Sequence, residues 1–322
     1  MRIPRRRALA ALLALPVAAR AQGSAWPDRP VRIIVPAAPG GPADLLARAL
    51  GERLYETWRQ PVVIENRAGA GNTIGTALVA RAAPDGYTLL MATSGHVMNA
   101  SVLPRLPFDA LRDFTPIINL AFHPTVLTVH PSVPVRSLAE FIAMAKAQPG
   151  ALTMVSSGVG TGSHLIAELF AQSVGIELTH VPFGGAAPAQ AAILSGQVLA
   201  GFLNATVAVP PIRAGALHGL AVTDANRWRD LPEVPTMVEL GHPDMLVAGW
   251  YGILAPAELP QALRDRLHAD MAAALRQPPL LARIRAAGLD PLDVGPEAFA
   301  AQLATELAKW SRVVREAGIK AD

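Results

Sequence analysis

Two distant stretches of this chain repeat one local design, and that repetition constrains the fold more than any other feature. Val31–Leu50 reads VRIIVPAAPGGPADLLARAL and Ala151–Phe170 reads ALTMVSSGVGTGSHLIAELF. Aligned without gaps, each gives an apolar strand, a loop of small residues with Gly40 opposite Gly160, and a helix beginning near Asp44 or His164. Glycine at such a loop lets a ligand approach backbone N–H groups without a Cβ in the way. A helix N-terminus offers free N–H groups and about half a positive charge, so it favours anions. In open α/β sheets, ligands lie at the carboxyl ends of the strands, where these loops sit. Two such loops facing one another would form a clamp.

The rest of the chain keeps the same rhythm. Strands are expected at Pro61–Glu65, Tyr87–Thr93, Phe114–Leu120, Thr125–His130, Leu152–Ser156 and Glu177–Val181, and near Val198–Leu203 and Leu217–Val222. Helices are expected at Asp44–Trp58, Asn72–Ala82, Ser137–Gln148, Gly162–Val174 and Ala187–Ser195, with a mainly helical tail from Pro260 that ends in Pro296–Ala317. Strands alternating with helices predict an α/β fold of parallel sheets flanked by helices.

The first residues read as a targeting segment. Arg2, Arg5, Arg6 and Arg7 precede an apolar run of twelve residues, Ala8–Ala19, and Ala19-Arg20-Ala21 supplies a small-x-small cleavage pattern. The run is short of the roughly 20 residues that span a bilayer as a helix. Residues 1–21 are therefore expected to be a signal peptide leading to the periplasm, by the general or the twin-arginine route. Of 28 basic residues, five lie in that segment, which leaves 23 against 25 acidic residues. The processed chain has no basic excess to serve as a footprint for nucleic acid. The absence of cysteine excludes disulfides, thiolate metal sites and a cysteine nucleophile. The eight histidines show no H-E-x-x-H spacing, so neither a metal nor a cofactor is expected. Gly69-Ala-Gly71-Asn-Thr-Ile-Gly75 does not have the spacing of a dinucleotide loop.

With these segments in view, the chain resembles the Bug family, the solute receptors of tripartite tricarboxylate transporters. The resemblance is carried by WPDRPVRIIVPAAPGGPAD (Trp26–Asp44), QPVVIENRAGAGNTIGT (Gln60–Thr76), APDGYTLLMATSGH (Ala83–His96) and SSGVGTGSHLIAELF (Ser156–Phe170). It continues through HVPFGGAAPA (His180–Ala189), LPEVPTMVELG (Leu231–Gly241), GWYGILAPA (Gly249–Ala257) and KWSRVVREAGIK (Lys309–Lys320). It implies a type II periplasmic-binding-protein fold, two α/β lobes joined by crossover strands around a ligand cleft. Domain 1 would be 22–122 with 247–322, and domain 2 would be 123–246. It also implies a monomeric periplasmic receptor, not an enzyme, that takes a small carboxylate (a dicarboxylate, an acidic amino acid or an aromatic acid) to transporter subunits in the membrane. A receptor presented to a membrane sensor kinase is the alternative partner, and a secreted hydrolase is the alternative class. No G-x-S-x-G nucleophile elbow supports the hydrolase. Two departures stand out. The family often reads V-P-Y-K/R-G where this chain has Val181-Pro182-Phe183-Gly184-Gly185, and D-x-x-x-D-N where it has Leu199 to Asn204 with leucine at 199 and 203. Both predict a more apolar or roomier pocket.

The candidate ligand-binding residues follow. Pro39, Gly40 and Gly41 form the first loop, with Asp44 either on the ligand or in the first turn of its own helix. Ser156, Ser157, Gly160, Thr161 and Ser163 form the second, with His164 at the helix start. Ser94 and His96 follow a strand, and Phe183 and Asn204 are cleft-wall candidates. Trp250 and Tyr251 read as core. None of the candidate loops holds lysine or arginine, so a bound anion is expected to rest on backbone N–H groups and hydroxyls.

Overall fold

The computed structural model describes residues 26–320. The signal-peptide assignment, 1–21, lies outside them. β1 (Val31–Val35) is followed by α1 (Pro42–Trp58), β2 (Val62–Asn66), α2 (Thr73–Ala80), β3 (Thr88–Thr93) and α3 (Gly95–Val102). β1 lies between β2 and β3 and is parallel to both. Val31, Ile33, Ile34 and Val35 are fully buried there, as a near-continuous apolar run requires. α1 turns Leu46, Leu50, Leu54 and Trp58 inward at helical spacing, with Pro42 in its first turn, where a missing N–H costs nothing.

β4 (Phe114–Val129) is one strand of 16 residues, not the two that the sequence suggests. Pro124 reads as a break because it cannot donate to a ladder, yet the chain runs straight through it. The pairing changes at that point. From Phe114 to Pro124, β4 is antiparallel to β9 (Ala248–Pro256), and Thr125–Val129 pairs instead with β7 (Ala200–Asn204). β4 and β9 are thus the strands that cross between the two halves of the sheet. Between them in sequence lie α4 (Leu138–Ala147), β5 (Thr153–Ser156), α5 (Gly162–Val174), β6 (Thr179–Pro182), α6 (Ala186–Leu194), α7 (Ala205–Arg213) and β8 (His218–Val222). The tail gives α8 (Gln261–Leu275), α9 (Pro278–Ala286), β10 (Asp290–Val294) and α10 (Pro296–Glu316). The main path of the sheet is β2-β1-β3-β9-β4-β7-β5-β6, with β8 and β10 each paired to β4.

Three further elements depart from the sequence reading. α3 (GHVMNASV) has little helical periodicity of its own and is held by burial of Val97, Met98 and Val102. α7 carries Pro210 and Pro211 inside its later half and runs on to Arg213, although prolines look like helix breakers in sequence. β10 interrupts a tail expected to be helical, because Asp290–Val294 finds a partner in β4. One core cluster joins both halves through Ile34, Leu90, Phe141, Phe170, Trp250 and Trp310. A second packs Leu50, Leu54, Ile253 and Met271 under β1, and a third packs Val155, Ile193, Trp228 and Leu231 beside β7.

Candidate functional site

The carboxyl ends of β3, β5 and β7 converge with the crossover strands on a cavity of about 290 Å³. Thr93, Ser94, Gly95 and Met98 line it from β3 and α3, His123 and Thr125 from β4, and Gly249, Trp250 and Tyr251 from β9. The opposite wall is Val155, Ser156, Ser157, Gly162, Ser163 and Ile166 from β5 and α5. Ala186 and Ala189 of α6, and Phe202, Leu203, Asn204 and Val207 of β7 and α7, complete it. The size is near the lower end of small-molecule sites.

The start of α5 is the polar focus. The Ser157 N–H donates to Ser163 Oγ at 3.1 Å, and the Ser157 and Thr161 hydroxyls lie 3.3 and 3.2 Å from the same oxygen. Thr161 also donates to the Gly158 carbonyl at 2.7 Å, which fixes the loop. Ser156 faces the cavity but its hydroxyl is already engaged, 2.5 Å from His180 Nε2 and 3.1 Å from the Gly158 carbonyl. Gly160 and His164 hold the loop from behind. The Gly160 N–H donates to His164 Nδ1 at 3.0 Å, so the other ring nitrogen faces Glu168 at 3.5 Å. The His164 ring stacks on His180 with centroids 3.7 Å apart. Burial, then the neighbouring His164, push His180 down to about 4. Neither Gly160, Thr161 nor His164 lines the cavity itself.

The first loop lies elsewhere. Pro39, Gly40, Gly41 and Asp44 are absent from the cavity wall, and Pro39 and Gly40 are exposed. The physical reason is local. Asp44 sits in the first turn of α1, accepts the Gly40 N–H at 2.9 Å and pairs with Arg48 at 2.9 Å. The positive end of α1 is therefore already occupied by the chain's own carboxylate. Burial acts to raise that carboxyl, but the hydrogen bonds from Arg48 and Gly40 prevail and hold it below the usual range. His96 does not reach the cavity either. It is buried, with Nε2 2.8 Å from the Ala110 carbonyl oxygen and its ring against Phe108 and Phe114. Burial pushes it down to about 4. Phe183 packs toward the third core cluster instead of forming a cavity wall. Of the expected residues the structure brings together Ser94, Ser156, Ser157, Ser163 and Asn204. Trp250 and Tyr251 line the same space, although both read as core in the sequence.

Among the described residues no lysine, arginine, aspartate or glutamate lines the cavity. Its titratable side chains are His123 and Tyr251. Burial pushes His123 down to about 4, opposed by the Pro124 carbonyl, and pushes Tyr251 up to about 12. Both are neutral at pH 7. Among the described residues no three His, Asp or Glu side chains gather to hold a metal ion. Asp44, His96 and His164, which a hydrolytic triad would recruit, are each committed to different partners.

Residues 46–319 match the tripartite tricarboxylate transporter family receptor, TctC. The chain belongs to this family. Protein BugT of Bordetella pertussis is 35% identical over 306 residues, covering 94% of each chain. Among solved structures, R. palustris Rpa4515 with adipate is 36% identical at a TM-score of 0.77, covering 92% of this chain and 99% of its own. MatC from Rhodopseudomonas palustris with bound malate is 32% identical at 0.74, covering 90% and 100%. This TctC receptor thus has the type II binding-protein fold, with the cavity at the carboxyl edge of the sheet where the crossover strands run.

Proposed function

We propose that this TctC receptor works in the periplasm as a monomer, capturing one small organic carboxylate in the 290 Å³ cavity and presenting it to transporter subunits in the membrane. The observation that carries the reading is the polar focus at α5, where Ser157 and Ser163 meet the start of a 13-residue helix inside a cavity without charged side chains. A carboxylate there accepts hydroxyl and backbone hydrogen bonds and gains from the helix dipole. Each neutral hydrogen bond contributes about 1 kcal/mol net, and a partly buried helix end up to about 2. Several together reach the roughly 8 kcal/mol of micromolar binding. That adipate and malate occupy two relatives of the same fold supports the carboxylate class.

The lobes are proposed as 22–122 with 247–322, and 123–246. The change of β4 partners between Pro124 and Thr125 supports that division. Hinged lobes of this kind close over a ligand held between them. Native mass spectrometry of protein purified from the periplasm tests the whole reading. Expected are a chain beginning at Gln22 and an adduct of one small acid per monomer. A full-length, membrane-bound product, or turnover of a small acid in place of stoichiometric binding, would refute it.

A further inference from the structure

Among the described residues the cavity holds one group able to become a cation, and it sits on a crossover strand. His123 lies on β4 at the end of its pairing with β9, opposite Gly249. That close approach requires glycine, since a Cβ on Gly249 would lie only 2.4 Å from the His123 ring. The ring is 6% exposed and lines the cavity. Its Nδ1 is 3.3 Å from the Pro124 carbonyl oxygen. A carbonyl only accepts, so the neutral ring keeps its proton on Nδ1 and leaves Nε2 with a lone pair. A lone pair facing an anion is repulsive, and a protonated Nε2 is a charge-assisted donor. We infer that His123 is the ligand-contacting group that becomes cationic when an anion enters, so that this receptor takes up a proton as it binds. The inference rests on the carboxylate reading of the cavity and deepens it.

The surroundings leave that role to His123 alone. Across β9 its titratable neighbour is Tyr251, with ring centroids 5.8 Å apart, a neutral phenol at working pH. On β10, Asp290 stands opposite Phe122 and is bound by Arg229. Asp224, beyond β8, is raised by its own burial and by Asp290. α3, α5, α6 and α7 face the cavity with uncharged side chains. Burial, partly offset by the Pro124 carbonyl, accounts for the shift of the empty-site ring to about 4. An opposite charge within about 4–6 Å raises a histidine by about 1–3 units. A rise of about two units places the bound-state value near 6, and linkage then makes binding about tenfold tighter at pH 5 than at pH 7. The sign follows from the raised value. The gain is absent above the bound-state value and complete only below the free value.

The test is isothermal titration of the purified protein with adipate, malate and hexanoate as probes, at pH 7 and 5, in two buffers of different ionisation enthalpy. The expected result for the tightest probe, once the acid's own titration is subtracted, is about tenfold tighter binding at pH 5, with buffer-dependent heat that reports proton uptake. His123→Gln is expected to lose the uptake and to show less than a threefold pH effect. The ligand's own titration is common to both proteins, so the difference reads His123. Labelled-histidine NMR of the unmutated protein gives a second reading, with the His123 ring moving to a higher titration midpoint when the probe is bound. Proton uptake by the unmutated protein no greater than by His123→Gln, or an unmoved ring, overturns the inference and leaves the carboxylate reading standing. Binding of none of the three acids overturns both.

Discussion

Adding one methyl group at Gly160 tests whether the second loop is held by contact with the other half of the molecule. Gly160 has φ +73°, and a Cβ there would lie 2.6 Å from Val102 Cγ1 of α3. The left-handed conformation costs an L-residue about 1–2 kcal/mol. Forcing a methyl into the packed contact adds about 1–3 kcal/mol. Gly160→Ala should therefore cost about 2–5 kcal/mol in stability. Gly175→Ala is the internal control. Gly175 has φ +64° with nothing within 4 Å of the added Cβ, so it should cost only the conformational part. Urea unfolding at constant m-value reads both. Trimming the far side in a Gly160→Ala, Val102→Ala pair should restore part of the difference, as a coupling between contacting residues. Because the Gly160 loop carries Ser157 and Ser163, relief by loop movement should also weaken acid binding. Equal losses at Gly160 and Gly175, or no coupling to Val102, would refute the contact.

Ser157→Ala and Ser163→Ala are each expected to weaken carboxylate binding about fivefold, roughly 1 kcal/mol per lost hydrogen bond, while Arg67→Ala, whose side chain pairs with Glu65 on the surface, leaves it unchanged; titration calorimetry of the three variants checks this. Asp44→Asn should lower stability at pH 7 because it removes the charged partner of Arg48 and Gly40. The Asp44 carboxyl is held below its ordinary value, so its contribution is present above the unfolded value of about 3.9 and disappears as pH falls through the folded one. Urea unfolding of the two proteins should therefore differ at pH 7, and the difference should shrink as pH falls below the unfolded value.

The strand–loop–helix units were legible because each is encoded locally. VRIIV is a strand by apolar content alone, and Gly162–Val174 is closed by Gly175 in a left-handed C-cap, so its bounds agree with the sequence reading. What local pattern does not encode is which loop lines the cavity. The two loops align residue for residue, yet only the second reaches the cavity. The distinguishing signal was present in Asp44 and Arg48, an acid in the first turn and a base four residues on, which neutralise the α1 terminus from within. His123 carried no signal, since a lone histidine before a proline becomes a cavity residue only through the pairing of β4 with β9. Trp250 and Tyr251 looked like core because burial and cavity lining coincide on a crossover strand.

A crystal structure of the protein with a bound acid tests the central claim most directly. The expected result is a carboxylate within hydrogen-bond distance of Ser157, Gly162 or Ser163, with no lysine or arginine side chain touching it. A carboxylate clamped by lysine or arginine, or seated on the Pro39–Gly41 loop, would contradict a site built from neutral donors at the start of α5.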